Sequence, residues 1–319
     1  MPTPSNPRLH LIAADARRFV KARGPDYDVI VSDNFHPARS GSGALYTVEH
    51  FQAVKARLSA SGVFCQWLPL HQLDLETLRS IVQAFIAVYP AAGAMLATHS
   101  LETPVLGLVA RKDARRFDLQ MLRQRLSGAI DNTMLPQRLA DFGIADEFAL
   151  LGAFVAGPQA LAHFAGDAPL NTDDRPVVAY RAPRITYAPD SPPRDRLLAL
   201  LQLLKVEPTE LIDAGADASW PQRLAAYWAA RNRFIQAGRD VRASADVKEM
   251  LSQVREPLLS VLRISPDFRP AYDPLLRMAL SLGRTDSPAA RALLSELVQT
   301  QPARTEAAQA LRQLADASP

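Results

Sequence analysis

The chain has 319 residues, 48% of them apolar, enough to fill two ordinary cores. Its 36 Lys and Arg face 33 Asp and Glu, and the basic residues are spread along the chain, so no nucleic-acid or anionic-membrane footprint is expected. A single cysteine, Cys65, rules out an internal disulfide and fits a reducing compartment. No uninterrupted apolar run approaches the roughly 20 residues that span a bilayer; the nearest stretch, Phe148 to Gly166, is broken by Gly152, Gly157 and Pro158. The opening MPTPSNPRLHL lacks the charged and apolar regions of a signal peptide, so the expected location is cytoplasmic.

In chain order, short apolar runs at Leu9 to Ala13, Tyr27 to Ser32, Gly62 to Leu68, Ala94 to Thr98 and Val105 to Ala110 predict strands. Between them, Val48 to Leu58 and Leu75 to Val88 carry apolar residues at spacings of three and four and predict helices, the second capped by Asp74. This alternation predicts an α/β unit with a mostly parallel sheet. Asp118 to Phe164 reads as helical, with breaks at Gly128, Pro136, Gly143 and Gly157.

Ala182 to Pro193 holds four prolines in twelve residues and predicts a non-helical linker. The remainder reads as helices rich in Ala, Leu, Arg and Gln. Ala225 to Gly238 resembles Ala271 to Gly283, each a helix ending in glycine and followed by a second amphipathic helix. A tetratricopeptide-like helical repeat and a plain helical bundle both fit this pattern. The expected organisation is an α/β domain over 1–184, a Pro-rich linker over 185–193 and a helical domain over 194–319.

Ligands of open parallel sheets bind beyond the carboxyl ends of the strands, where loops and helix N-termini converge. Asp15 comes after Leu11-Ile-Ala-Ala, and Asp33 after Val29-Ile-Val-Ser, each at such an edge. Either carboxylate can accept hydrogen bonds from a ligand, or can cap the next turn or helix. Ser40-Gly-Ser-Gly43 lacks the phosphate-loop lysine and predicts a mobile flap over the cleft. The six histidines show no metal-ligand spacing, and no Gly-x-Ser-x-Gly elbow is present, so metal chemistry and acyl transfer are not expected.

Four segments, taken together, resemble the later part of the spermidine synthase-like family in order and spacing. They are Arg8 to Phe19, Tyr27 to Asp33, Ala44 to Phe51 and Leu58 to Trp67. Asn171-Thr-Asp-Asp-Arg-Pro176 resembles the segment that closes the catalytic domain in the family's membrane-fused branch. The resemblance implies an S-adenosylmethionine-methyltransferase-like (Rossmann-like) fold and transfer of an aminopropyl group from decarboxylated S-adenosylmethionine to a polyamine. It implies that Asp15, with Ala16 beside it, holds the adenine amino group. It puts Asp33 and His36 in the active-site turn, His36 standing where the family has a second aspartate, and sets Tyr46 and Gln66 along the cleft. A neutral imidazole can act as a base near pH 7 but offers no negative charge to a polyammonium substrate.

The family's glycine-rich cofactor turn, and the acidic residue that ends its second strand, have no counterpart in this sequence. The expected fold class is therefore α/β, an incomplete Rossmann-like sheet joined to an all-α domain. The chain alone is expected to hold no cofactor tightly. Three readings remain open: a truncated reading frame, a protein completed by another polypeptide or by a membrane-embedded portion that would make it membrane-associated, and a non-catalytic scaffold whose helical domain engages a protein. A methyltransferase-like enzyme with another acceptor is a further alternative.

Overall fold

The computed structural model describes residues 8–33, 36–128, 139–213 and 217–316. Asn34, Phe35 and the predicted break at Pro136 lie outside them. The α/β part opens with helix α1 (Ala16–Lys21), then strand β1 (Tyr27–Ser32), helix α2 (Val48–Ala56), strand β2 (Leu58–Pro69) and helix α3 (Leu75–Val88). Strands β3 (Gly93–Leu96) and β4 (Val105–Arg111), helices α4 (Leu119–Leu126) and α5 (Glu147–Leu151), strand β5 (Phe154–Ala156) and helix α6 (Pro158–Ala165) complete the sheet and its flank.

The strand order is β1-β2-β4-β3-β5. Only β1 and β2 pair in parallel; β2 with β4, β4 with β3, and β3 with β5 are antiparallel. The expected mostly parallel sheet is thus a mixed one, because the short connection from Ala97 to Pro104 turns β4 back against β3 instead of crossing over. Leu9 to Ala13 forms no strand: Leu11 is 74% exposed, and no described strand lies alongside to satisfy its backbone. The Phe154–Ala156 strand lies inside a stretch that reads as helical by composition. Pairing with Ala94 and Met95 overrides that local pattern.

One face of the sheet is sealed. Phe64, Gln66 and Leu68 on β2 share it with Leu106, Leu108 and Ala110 on β4, all buried under α2 and α3. Phe51, Phe64, Phe85 and Tyr89 form a ring cluster there, with centroids 5.0 to 6.1 Å apart. Asp74 caps α3 as expected, accepting from Thr77 N at 2.8 Å. On the opposite face, among the described residues, Met95 and Phe154 pack on the helical core while Val29 and Val31 are exposed.

Helix α7 (Val177–Tyr187) runs through Pro183, so the proline-rich segment is helical as far as Tyr187. Burial of Val178 and Ala182 against the turn before α2 and against α3 outweighs the backbone bond that Pro183 cannot make. Next come α8 (Pro193–Leu203), α9 (Pro208–Leu211), α10 (Trp220–Gly238), α11 (Val247–Ile264), α12 (Arg269–Leu282), α13 (Ser287–Thr300) and α14 (Glu306–Asp316). From α10 onward each helix packs on the next in sequence. Their core, around Trp220, Leu258 and Tyr272, also takes in Phe148, Leu151 and Phe154. Arg231 of α10 is buried beneath β5 and donates to Gly152 O and Phe154 O, with Trp228 Nε1 donating to Leu151 O at 3.1 Å.

Candidate functional site

The parallel pair β1–β2 ends where chemistry-bearing residues gather. Ser32 stands opposite Gln66 in the register, so Asp33, the next residue, leaves the sheet beside Gln66. Asp33 is exposed and His36 half-buried. The His36 Nδ1 is shielded from solvent and has no hydrogen-bond partner among the described residues. An imidazole nitrogen in that condition is costly unless a ligand or water meets it.

A second histidine stands near. β2 runs into a 3₁₀ turn, Leu70–Gln72, that carries His71. Its Nδ1 is likewise buried without a partner among the described residues, while its Nε2 lies 3.0 Å from the Gln72 amide nitrogen. With that amide donating, Nε2 is the acceptor and the ring proton sits on Nδ1. Burial, then the charge of Arg196, then that of His36, lowers the His71 pKa. Arg196 also donates to His71 O at 2.9 Å, fixing the turn. His71 escapes a reading of the sequence that stops at β1. The rule that points to Asp33, that ligands gather beyond a strand's carboxyl end, leads to His71 when applied to β2.

The remaining expected residues are distributed less simply. Asp15 is exposed, and its Oδ1 accepts from Arg18 N at 2.8 Å as the cap of α1, with Ala16 the first helical residue. Ala16 borders a cleft of about 690 Å³ that also runs past Ile12, Phe19, Val29 and Val31 along the outer edge of β1. Tyr46 is fully buried, and that burial raises its phenol pKa far above the ordinary value. Gln66 is fully buried too; its Nε2 donates to Trp67 O at 3.0 Å, and its Oε1 has no partner among the described residues.

The segment after α6 braces this end of the sheet. Arg17 of α1 grips Asp173 with two bonds of 2.6 and 2.7 Å, and Thr47, the cap of α2, donates to the same carboxylate at 2.8 Å. Asp173 N donates to Glu49 at 3.0 Å. Burial would raise the Asp173 pKa, but the Arg17 and Thr47 hydrogen bonds outweigh it and hold the carboxyl below its ordinary range. His50, one turn into α2, is pushed down to about 4 by burial and by the charges of Arg17 and Lys21. Asn171 is buried and donates to Tyr46 O at 2.8 Å and Gly43 O at 3.4 Å, while accepting from Val178 N at 3.1 Å. The expected flap over Ser40 to Gly43 is therefore anchored at its far end: a side chain at Gly43 would collide with the Ala179 backbone at 2.9 Å.

On the outer side, β1 is bare. Val29 is 62% and Val31 57% exposed, on the sheet face that also carries half-buried Val63, Cys65 and Trp67. Arg57 closes the rear of this region, donating to Phe19 O, Ala22 O and Pro25 O at 2.8 to 3.1 Å, with the Phe19 and Tyr27 rings 5.6 and 5.1 Å from its guanidinium carbon. Among the described residues there is no group of three or more His, Cys, Asp or Glu side chains that could hold a metal ion, and no helix long and apolar enough to cross a membrane.

Residues 3–107 match the family described as the spermine/spermidine synthase domain. Over those residues the chain is similar to spermine and spermidine synthases, and two relatives share that similarity. A polyamine aminopropyltransferase of Synechococcus sp. (strain JA-2-3B'a(2-13)) is 29% identical over 198 residues, covering 59% of this chain and 55% of that protein. A spermidine synthase of Dictyostelium discoideum is 26% identical over 85 residues, covering 27% of this chain and 30% of that protein. The chain thus spans about half the length of the first relative and under a third of the second.

Proposed function

We propose that this chain supplies the acceptor side of a spermidine synthase-like aminopropyl transfer. Asp33 receives the attacking amine and His36 takes its proton, while Tyr46 and Gln66 shape the wall behind them. The amine's lone pair attacks the aminopropyl methylene bonded to the sulfonium sulfur in decarboxylated S-adenosylmethionine. The new carbon–nitrogen bond forms as the carbon–sulfur bond breaks, the thioether leaves, and the amine's proton passes to the base. The observation that carries this reading is His36, with a buried ring nitrogen unpartnered among the described residues just beyond the carboxyl end of β1.

Asp15 and Ala16 would meet the nucleoside at the neighbouring cleft. Completion of that pocket requires a strand beside β1, which we assign to a polypeptide or a membrane-fused portion supplying the rest of such an enzyme. A polyamine-like amine is the acceptor. His36, in place of a carboxylate, favours an acceptor with less positive charge than a long polyamine carries.

A second reading has its own support. The Asp15 carboxylate is engaged as a helix cap, as in a non-catalytic scaffold that works through the helices after Pro193 and a protein bound to them. The test is product analysis on the native protein, isolated from its source cells with whatever polypeptide accompanies it. It is supplied with a polyamine panel and either decarboxylated or ordinary S-adenosylmethionine. Aminopropylated amine from the decarboxylated donor is the expected product. Methylated product would point to a methyltransferase-like enzyme, and no product from either would favour the scaffold. In an active preparation, His36→Asp should raise turnover of the more highly charged polyamines.

A further inference from the structure

The helical part contains a cavity that the aminopropyl reading does not use. It has a volume of about 570 Å³ and lies between α10, α11 and α12, roofed by His99 and Leu101 from the loop after β3. It is a groove open to solvent on one side, with Arg277 and Ala243 exposed at its edge.

The sequence explains why this one is open. Pro257 in α11 and Pro274 in α12 both border it, and each removes a helical bond and pushes against the carbonyl of the preceding turn. The opposing α10 wall ends in small residues, Ala237 and Gly238. Met250 and Met278 supply flexible, polarizable lining. The volume, the apolar wall and the few polar groups match those of small-molecule pockets in general.

Two polar residues mark its rim. The His99 ring meets Phe234 edge-on and Phe268 at a tilt, with centroids 5.7 and 5.9 Å away, and makes no hydrogen bond among the described residues. Among the described residues, Arg277 is the one cationic side chain lining the cavity. On the same helix Arg269 is held by two carboxylates, Asp273 and Glu306, whereas Arg277 has no ion-pair partner among the described residues. An arginine left unpaired at the mouth of an apolar pocket is complementary to a ligand with an apolar body and one anionic end.

We propose that this cavity binds a medium-chain fatty acid, its alkyl chain lying among Phe234, Val254 and Met278 and its carboxylate on the Arg277 guanidinium. The site is independent of the aminopropyl reading and stands or falls separately.

The test is titration of the full purified chain with decanoate and with decanol, below their aggregation concentrations, by calorimetry, with native mass spectrometry to count bound molecules. Saturable one-to-one binding is expected, with decanoate about tenfold tighter than decanol. Arg277→Gln should abolish that preference while leaving decanol affinity unchanged. Val254→Trp, and separately the milder Ala237→Met, should weaken both ligands while the far-ultraviolet circular dichroism stays native. Equal affinity for decanoate and decanol, an undiminished decanoate preference in Arg277→Gln, uptake without saturation, or undiminished binding in a folded cavity-filling variant would each overturn the assignment.

Discussion

Ile30 and Val31 are neighbours on one strand, of similar size and chemistry, yet they live in different environments. Ile30 turns toward α2 and α3 and packs on the sealed core beside Phe64; Val31 turns away and is 57% exposed. The sealed face is a finished interior with stacked rings. The other face at β1 is a parallel-strand surface without a cover. Parallel strands are normally buried on both faces, so the contrast shows that apolar content along β1 reflects two separate demands, of which the described residues meet one.

The strongest way to break the comparison is to attack the sealed face. Phe64→Ala removes the ring that touches Phe51, Phe85 and Tyr89 and should cost about 3–5 kcal/mol, read as a fall in urea midpoint. A loss as small as that of a surface substitution would refute the picture of a packed ring cluster.

The next effect concerns pH. His50 is buried beside the sealed core and titrates at about 4 when folded, against about 6.5 when unfolded. Below about pH 6.5 the unfolded chain therefore binds the extra proton, so stability falls with pH through the window from 6.5 to 4 and levels off beneath it. The slope should reach about 1 kcal/mol per pH unit for this residue. Urea midpoints between pH 7.5 and 4 should show it together with a like share from His99, which burial also pushes down to about 4, and His50→Gln should remove only the His50 share; an unchanged slope in that variant would sink the assignment.

Smaller is the loss on Thr47→Ala, which removes both the α2 cap and a bond to Asp173. About 1 kcal/mol is expected, and Arg17→Ala should add little on top if the two act through the same carboxylate; full additivity would argue against that. The smallest belongs to the open face. Val31→Thr should change the stability of this chain by no more than about 0.5 kcal/mol. In the native assembly it should weaken retention of any polypeptide that covers β1, and retention equal to wild type would show that nothing docks there.

The elements that could be read from residues alone are those whose local pattern and tertiary role agree. α2 and α3 show the period of their burial, β1 and β2 show as apolar runs, and Asp74 announces α3. β5 and the continuation of α7 through Pro183 could not be read, because each exists through contacts with distant chain. Leu9 to Ala13 has a strand's composition without a described neighbour to pair with, which composition cannot reveal. Around the candidate site, Asp33 is legible as the residue after a strand, whereas His36 enters through the family resemblance. His71 was hidden behind a 3₁₀ turn whose course is fixed by a bond from Arg196, 125 residues away.

Asn171 also governs timing. Its side chain reaches back 125 residues to Tyr46 O and 128 to Gly43 O. On a ribosome, where roughly 5–20 residues are added each second, the turn that borders the site stays unlatched for roughly ten seconds after its own residues have been made. Any factor that recognises Gly43 to Tyr46 in the open form has that interval in which to act, and loses it once the polypeptide beyond Val178 emerges.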